Sequence, residues 1–203
     1  IAVSRDEAFC FIYEANMDLL RKFGAEVIPF SPIHDSQIPD ADGVLFYGGY
    51  PELFAKQLSE NTFMRSDVKR KLAEGMPCMA ECGGFMYLHQ SMEDMDGTAW
   101  PEAGVIEGKA YKTSKLGRFG YIELHPVEEP EADRVLRGHE FHYFDSTSCG
   151  ESYVAKKPLR KRSWRCIHET ETLMAGFPHL YYYSCPEFLM KFLQKCRNYQ
   201  KER

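Results

Sequence analysis

A chain that runs Pro77-Cys78-Met79-Ala80-Glu81-Cys82-Gly83-Gly84-Phe85-Met86-Tyr87-Leu88 has few ways to fold there. A short apolar run stops at a cysteine, meets two glycines and resumes with helix-like spacing. A strand that turns abruptly into a helix needs residues without side chains at the bend, and it sets the bend residue above the carboxyl edge of a sheet. The unpaired N–H groups and positive dipole end of the new helix favour thiolate over thiol. The spacing therefore predicts an exposed, reactive sulfur at Cys82. The alternative is one of several buried cysteines beside a tight turn; the double glycine between strand and helix favours the former.

The rest of the first half fits a parallel α/β layer. Ile1 to Val3 reads as a strand, and Ile12 to Phe23 as a helix with Ile12, Leu19, Leu20 and Phe23 on one face before Gly24, a good helix-terminating residue. Val27 to Phe30 is a second strand. Gly43-Val44-Leu45-Phe46-Tyr47 is a continuous apolar run of the kind covered on both faces, ended by Gly48-Gly49. Helices are predicted from Pro51 to Leu58 and from Asn61, an N-cap, to Gly75. The expected fold is α/β: a mostly parallel, flavodoxin-like sheet with helices on both faces. Its site lies at the carboxyl ends of adjacent strands.

From Gly104 to Tyr153 the strand-like pieces shorten (Gly104 to Lys109, Gly120 to Val127, Glu140 to Tyr143), which predicts antiparallel additions to the sheet. Lys156 to Arg165 is basic and turn-containing and reads as a solvated loop. Leu173 to Phe177 is a short strand. The last helix starts at Ser184-Cys185-Pro186-Glu187, a capping-box spacing, and buries Phe188, Leu189, Phe192, Leu193 and Cys196.

Composition narrows the function. The 203 residues fit one domain, spanning 1–203, and a formal net charge of -5 leaves no footprint for nucleic acid. No apolar run approaches a membrane span. Seven cysteines, an odd number with no CxxC pair, predict free thiols in a reducing cytoplasm and no metal site. The chain opens directly on the apolar Ile1-Ala2-Val3 and reads as a module excised from something longer, with its partner domain upstream.

A cysteine nucleophile needs a base that also serves as an acid. Of the seven histidines His179 is best placed, in a short loop between the Leu173 strand and the last helix, over the same sheet edge as Cys82. Gly48 and Gly49 end a strand that neighbours the Cys82 strand. With the N–H of Gly83 they form a candidate oxyanion hole, in which one donor is typically worth about 10² to 10³ in rate. In Gly138-His139-Glu140-Phe141-His142-Tyr143, alternation sends Phe141 and Tyr143 one way and Glu140 and His142 the other. Glu140 and His142 then either sit on a wet strand face, or line the pocket to bind the substrate's amino acid end or orient a catalytic group.

Several phrases together carry a resemblance: Asp6-Glu7-Ala8-Phe9, Phe30-Ser31-Pro32, Gly48-Gly49-Tyr50-Pro51-Glu52, Ala80-Glu81-Cys82-Gly83-Gly84-Phe85-Met86-Tyr87-Leu88, Gly138-His139-Glu140-Phe141-His142-Tyr143 and Phe177-Pro178-His179-Leu180-Tyr181. Taken in order, they resemble the C-terminal glutamine amidotransferase domain of the cobyrinic acid a,c-diamide synthases, in the class I, cobyric-acid-synthase-like group. The resemblance implies Cys82 as nucleophile and His179 as its partner in a Cys-His dyad. The position two residues after the histidine, where related class I enzymes carry a carboxylate and this group often a second histidine, holds Tyr181. Tyr47 stands where the group usually has a small residue, and it is expected to tighten the oxyanion loop.

The resemblance further implies that Cys82 attacks the carboxamide of glutamine and His179 protonates the departing ammonia. The ammonia would pass to an N-terminal synthetase domain that uses ATP and Mg²⁺ to amidate the a and c carboxylates of cobyrinic acid in cobalamin biosynthesis. No G-x-x-x-x-G-K-[ST] phosphate loop occurs here, so no cofactor is expected in this domain. Other readings stay open: a cysteine hydrolase or chaperone of the peptidase type on a related scaffold, a non-catalytic docking module, or service to another tetrapyrrole such as a nickel sirohydrochlorin.

Overall fold

The apolar runs of the first half become the centre of the molecule. In the computed structural model, which describes residues 1–128 and 135–203, five parallel strands share one sheet: β1 (Ala2–Ser4), β2 (Ile28–Phe30), β3 (Val44–Phe46), β4 (Cys78–Glu81) and β14 (Leu173–Gly176). A short antiparallel strand, β13 (His168–Glu169), closes one edge, giving the order β13-β14-β4-β3-β1-β2. The runs lack alternation because both faces are covered. Ala2, Val44, Phe46, Cys78, Ala80 and Ala175 enter one core, packed with α2 (Ala55–Glu60), α3 (Thr62–Ala73) and α4 (Gly83–Tyr87). Val3, Leu45, Met79 and Met174 enter the other, packed with α1 (Glu14–Lys22) and α5 (Pro186–Glu202). Each fully buried Leu, Val, Met or Phe on these faces contributes roughly 1.5–3 kcal/mol.

Helix ends follow local chemistry in part. Asn61 Oδ1 accepts from the Met64 N–H at 3.3 Å and caps α3, while Gly24 takes the left-handed φ of +87° that lets the chain leave α1. The segment expected to run from Pro51 to Leu58 divides into a 3₁₀ turn, Pro51–Leu53, and α2. The capping box expected at Ser184 does not form. Cys185 takes the cap position without a side-chain bond, and Ser184 Oγ instead donates to Tyr181 O (2.7 Å) and accepts from Arg137 N (2.8 Å).

The later strands, expected as antiparallel additions to the main sheet, mostly build two sheets of their own, and one of their pairs, β5 with β7, is parallel. One sheet holds β5 (His89–Glu93), β6 (Ala99–Pro101), β7 (Ile106–Lys112) and β10 (Phe144–Ser146). The other holds β8 (Arg118–Pro126), β9 (Leu136–His142), β11 (Tyr153–Lys156), β12 (Ser163–Cys166) and β15 (His179–Tyr181). The basic stretch is, as expected, largely a solvated loop: residues 157–162 form the exposed turn of the β11–β12 hairpin, and its two ends enter the strands. The cationic groups of Arg118, Lys157 and Arg162 lie 5.4, 5.8 and 5.6 Å from the Trp164 ring centre, within reach of the attraction of the ring quadrupole for cations.

Candidate active site

Cys82 sits where β4 ends, with φ +49° and ψ −105°, a conformation that costs a non-glycine residue on the order of 1–3 kcal/mol. Its N–H donates to Gly176 O at 2.8 Å and its carbonyl accepts the first helical bond from Met86. The backbone is therefore the abrupt strand-to-helix turn that the glycines announce. The sulfur differs from expectation: Cys82 is only 6 % exposed. Burial pushes its thiol well up, the negative fields of Glu52 and Glu140 add to this, and the Gly83 N–H opposes it. A five-residue helix offers too little dipole to offset that desolvation, so the resting side chain is a neutral thiol.

His179 lies in a strand rather than the predicted loop. It opens β15, which pairs antiparallel with β9, His179 opposite His139. The main sheet brings it to Cys82: β14 runs beside β4 with Gly176 opposite Glu81, and His179 follows three residues later. Gly48 sits against the imidazole so closely that a Cβ there would collide with Cε1 and lie 3.3 Å from both ring nitrogens. A Cβ on Gly83 would lie 3.2 Å from the Gly49 nitrogen and 2.8 Å from Pro51 Cδ. Cys82, Gly83, Gly48, Gly49 and His179 thus share the carboxyl edge of β3, β4 and β14. The glycine loop is pinned there by Phe11 N donating to Gly48 O (3.0 Å) and Tyr50 N to Ala8 O (2.9 Å). Burial, with the His139 and His142 rings nearby, lowers His179 to about 3, so it is a neutral imidazole. It stacks on His139 with ring centres 4.9 Å apart.

Glu140 and His142 alternate with the exposed Phe141 of β9 and Tyr143 just beyond it, but their face is dry. Glu140 Oε1 accepts from Trp164 Nε1 (3.1 Å), and Oε2 lies 3.0 Å from His142 Nε2 and 3.9 Å from Arg118 Nε. His142 Nδ1 bonds Phe144 O and its ring stacks on Phe177 at 4.0 Å. The polar atoms of both side chains are thus engaged by the protein itself.

Four residues escape a sequence reading. Glu81, the one charge in the apolar β4 run, is 3 % exposed and bonds Leu180 N and the Tyr182 hydroxyl. Its place beside Cys82 was the available signal. Glu52, raised to about 7 by burial, stands close enough to act on Cys82. Asn16 of α1 donates to Leu180 O (2.8 Å) and accepts from Tyr182 N (3.1 Å), clasping β15. The Tyr47 hydroxyl crosses to that of Tyr182 at 3.0 Å, so Tyr182 joins the network as well. Tyr181 is half-exposed, its ring 5.9 Å from that of Tyr183. A cavity of 630 Å³, lined among others by Tyr13, Asn16, His139, His179 and Tyr181, opens on the His179 side. Among the described residues no cluster of three or more His, Cys, Asp or Glu could hold a metal ion, and no helix is long and apolar enough to cross a membrane.

Comparison with known proteins matches residues 1–183 to the CobB/CobQ-like glutamine amidotransferase domain. A cobyrinate a,c-diamide synthase of Caldanaerobacter subterraneus subsp. tengcongensis is 37 % identical over 212 aligned positions, covering 100 % of this chain and 46 % of the relative. One from Listeria innocua is 39 % identical over 198, covering 94 % and 44 %. The chain spans about half the length of the curated relatives it matches. In structure it is similar to a crystallised glutamine amidotransferase (TM-score 0.66, 15 % identity, 97 % of this chain and 98 % of that one). It is also similar to a chain of PurLQS from Thermotoga maritima (TM-score 0.60, 14 % identity, 98 % and 97 %). At those identities the likeness concerns the fold.

Proposed function

The chain belongs to the CobB/CobQ-like glutamine amidotransferase family, and from that premise we propose that it is a glutaminase domain in which Cys82 and His179 hydrolyse glutamine and release ammonia. What supports the reading is the single juxtaposition of the His179 imidazole, packed on Gly48, with the strained Cys82 turn. In the reaction Cys82 gives its proton to the neutral imidazole and its sulfur attacks the carboxamide carbon. The N–H groups of Gly83 and the Gly48-Gly49 loop hold the oxyanion. The imidazolium returns the proton to the leaving nitrogen, which departs as NH₃ and leaves a glutamyl thioester. Water, deprotonated by His179, then attacks the thioester, glutamate leaves, and the sulfur recovers its proton.

A buried neutral thiol beside a weakly basic imidazole makes the first transfer uphill at rest. We therefore expect turnover to be low in the chain alone and to rise when a partner and glutamine are bound. The partner in this reading is an N-terminal synthetase domain that uses ATP and Mg²⁺ to amidate cobyrinic acid at the a and c carboxylates; this chain would be one domain of that longer protein. The names of the relatives and their greater length support it. Glutamate release, measured with and without the synthetase, ATP and corrinoid, tests the proposal. The expected result is stimulation by the partner and loss to background in Cys82→Ser and His179→Ala. Background release in the parent under every condition would instead leave a docking module without turnover.

A further inference from the structure

His179 carries an unanswered nitrogen. Its ring is buried, Nδ1 makes no hydrogen bond, and Glu81 Oε2 lies 3.9 Å away. A neutral imidazole has one N–H and one lone pair, so when one nitrogen must accept a proton the other must donate, and a buried donor needs an acceptor. The contact is no ion pair: burial holds the imidazole near 3 and raises the Glu81 carboxyl to about 8, so both are neutral.

Glu81 is itself held firmly. The Leu180 N–H, next along the chain from His179, donates to Oε2 at 3.2 Å. The Tyr182 hydroxyl donates to Oε1 at 3.0 Å and accepts from the Tyr47 hydroxyl at 3.0 Å. The carboxyl is thus fixed to the residue that follows β3 through Tyr47, to β15 at Leu180 and to the turn after β15 at Tyr182, one point on each side of Tyr181. A carboxyl oxygen keeps a second lone pair after accepting one bond. The residue that precedes Cys82 in the chain therefore grips the strand that carries the base.

We propose that Glu81 is the positioning residue of this site: Oε2 accepts a hydrogen bond from His179 Nδ1–H when the gap closes, which selects the tautomer whose Nε2 is free to take the Cys82 proton. The assignment rests on reading Cys82 and His179 as the reacting pair of glutamine hydrolysis. It requires no charge on Glu81, only a carbonyl-type acceptor held in place, so glutamine at this position should serve in part.

The test is ¹⁵N NMR of the histidine rings at neutral pH in the parent, Glu81→Leu and Glu81→Gln, with His179→Ala to assign the resonances, alongside steady-state glutaminase kinetics with the synthetase partner. The parent should show His179 as the Nδ1–H tautomer, Glu81→Leu should lose it, and Glu81→Gln should keep it. In Glu81→Leu, kcat should fall by about 10² to 10⁴ with KM changed less than about twofold, and Glu81→Gln should recover at least about tenfold of that loss. Should Glu81→Leu fail to fold, the parent tautomer and Glu81→Gln still decide. An Nε2–H tautomer in the parent, an unchanged tautomer in Glu81→Leu, or a loss expressed in KM overturns the assignment. A Glu81-dependent tautomer in a protein without glutaminase activity upholds the positioning and overturns the glutaminase reading alone.

Discussion

At the scale of the residue, the site sets a strained backbone against a sealed side chain. The left-handed turn at Cys82 aims the residue at the sheet edge, yet burial keeps its sulfur protonated and covered. Thiolate character and access govern alkylation together. Cys10, by contrast, is exposed. In the protein without a partner, iodoacetamide should therefore modify Cys10 first and Cys82 at least about tenfold more slowly, read by peptide mass mapping over time. A glutamine-shaped electrophile should reverse the order by engaging the glycine loop. Equal labelling of Cys82 and Cys10 by iodoacetamide would show that the sulfur is open at rest.

At the scale of the element, β15 is a three-residue strand that depends on its neighbours for its position. Asn16 of α1 satisfies Leu180 O and Tyr182 N, on either side of Tyr181, and is itself 1 % exposed. Asn16→Ala leaves a buried carbonyl and a buried N–H unpaired, at roughly 1–3 kcal/mol each. Thermal melts should show a loss of about 2–4 °C per kcal/mol in a chain of this size. Activity should fall further than stability alone accounts for, because the same strand carries His179. An Asn16→Ala protein with parental Tm and kcat would remove α1 from any part in ordering the site. The helices illustrate what is readable at this scale. The buried face of α5 at Leu189, Phe192, Leu193 and Cys196 follows from 3.6-residue spacing, with Phe188, expected among them, only partly buried; its start does not follow, because Ser184 is drawn to Tyr181 O and Arg137 N.

At the scale of the whole molecule, folding hides titratable groups of opposite kinds, and stability should be greatest in mildly acidic solution. Glu81 and Glu52 are raised by burial to about 8 and about 7, so the folded state holds protons that the unfolded chain releases above about 4.5. That stability is complete below the unfolded value and is lost as pH climbs through 7 and 8. His179, lowered to about 3 from 6.5, works the other way, and its contribution is lost as pH falls from 6.5 toward 3. Glu81 faces Tyr47, Tyr182, His179 and Cys82, none of them cationic at neutral pH. The Tm of Glu81→Gln relative to the parent should therefore rise between pH 5 and 8; a flat difference would mean that Glu81 is not held protonated. Local sequence alone determined the strand–Cys82–glycine turn, the parallel runs Val44–Phe46 and Cys78–Glu81 and the buried stripe of α5, because glycine sterics and hydrophobic spacing act over a few residues. Only the tertiary structure decided that His179 meets Gly48, that Glu81 faces Nδ1, and that the sulfur is covered. Desolvation and pairing depend on which distant strand is laid alongside, and β14 and β15 bring to β4 a part of the chain nearly a hundred residues away.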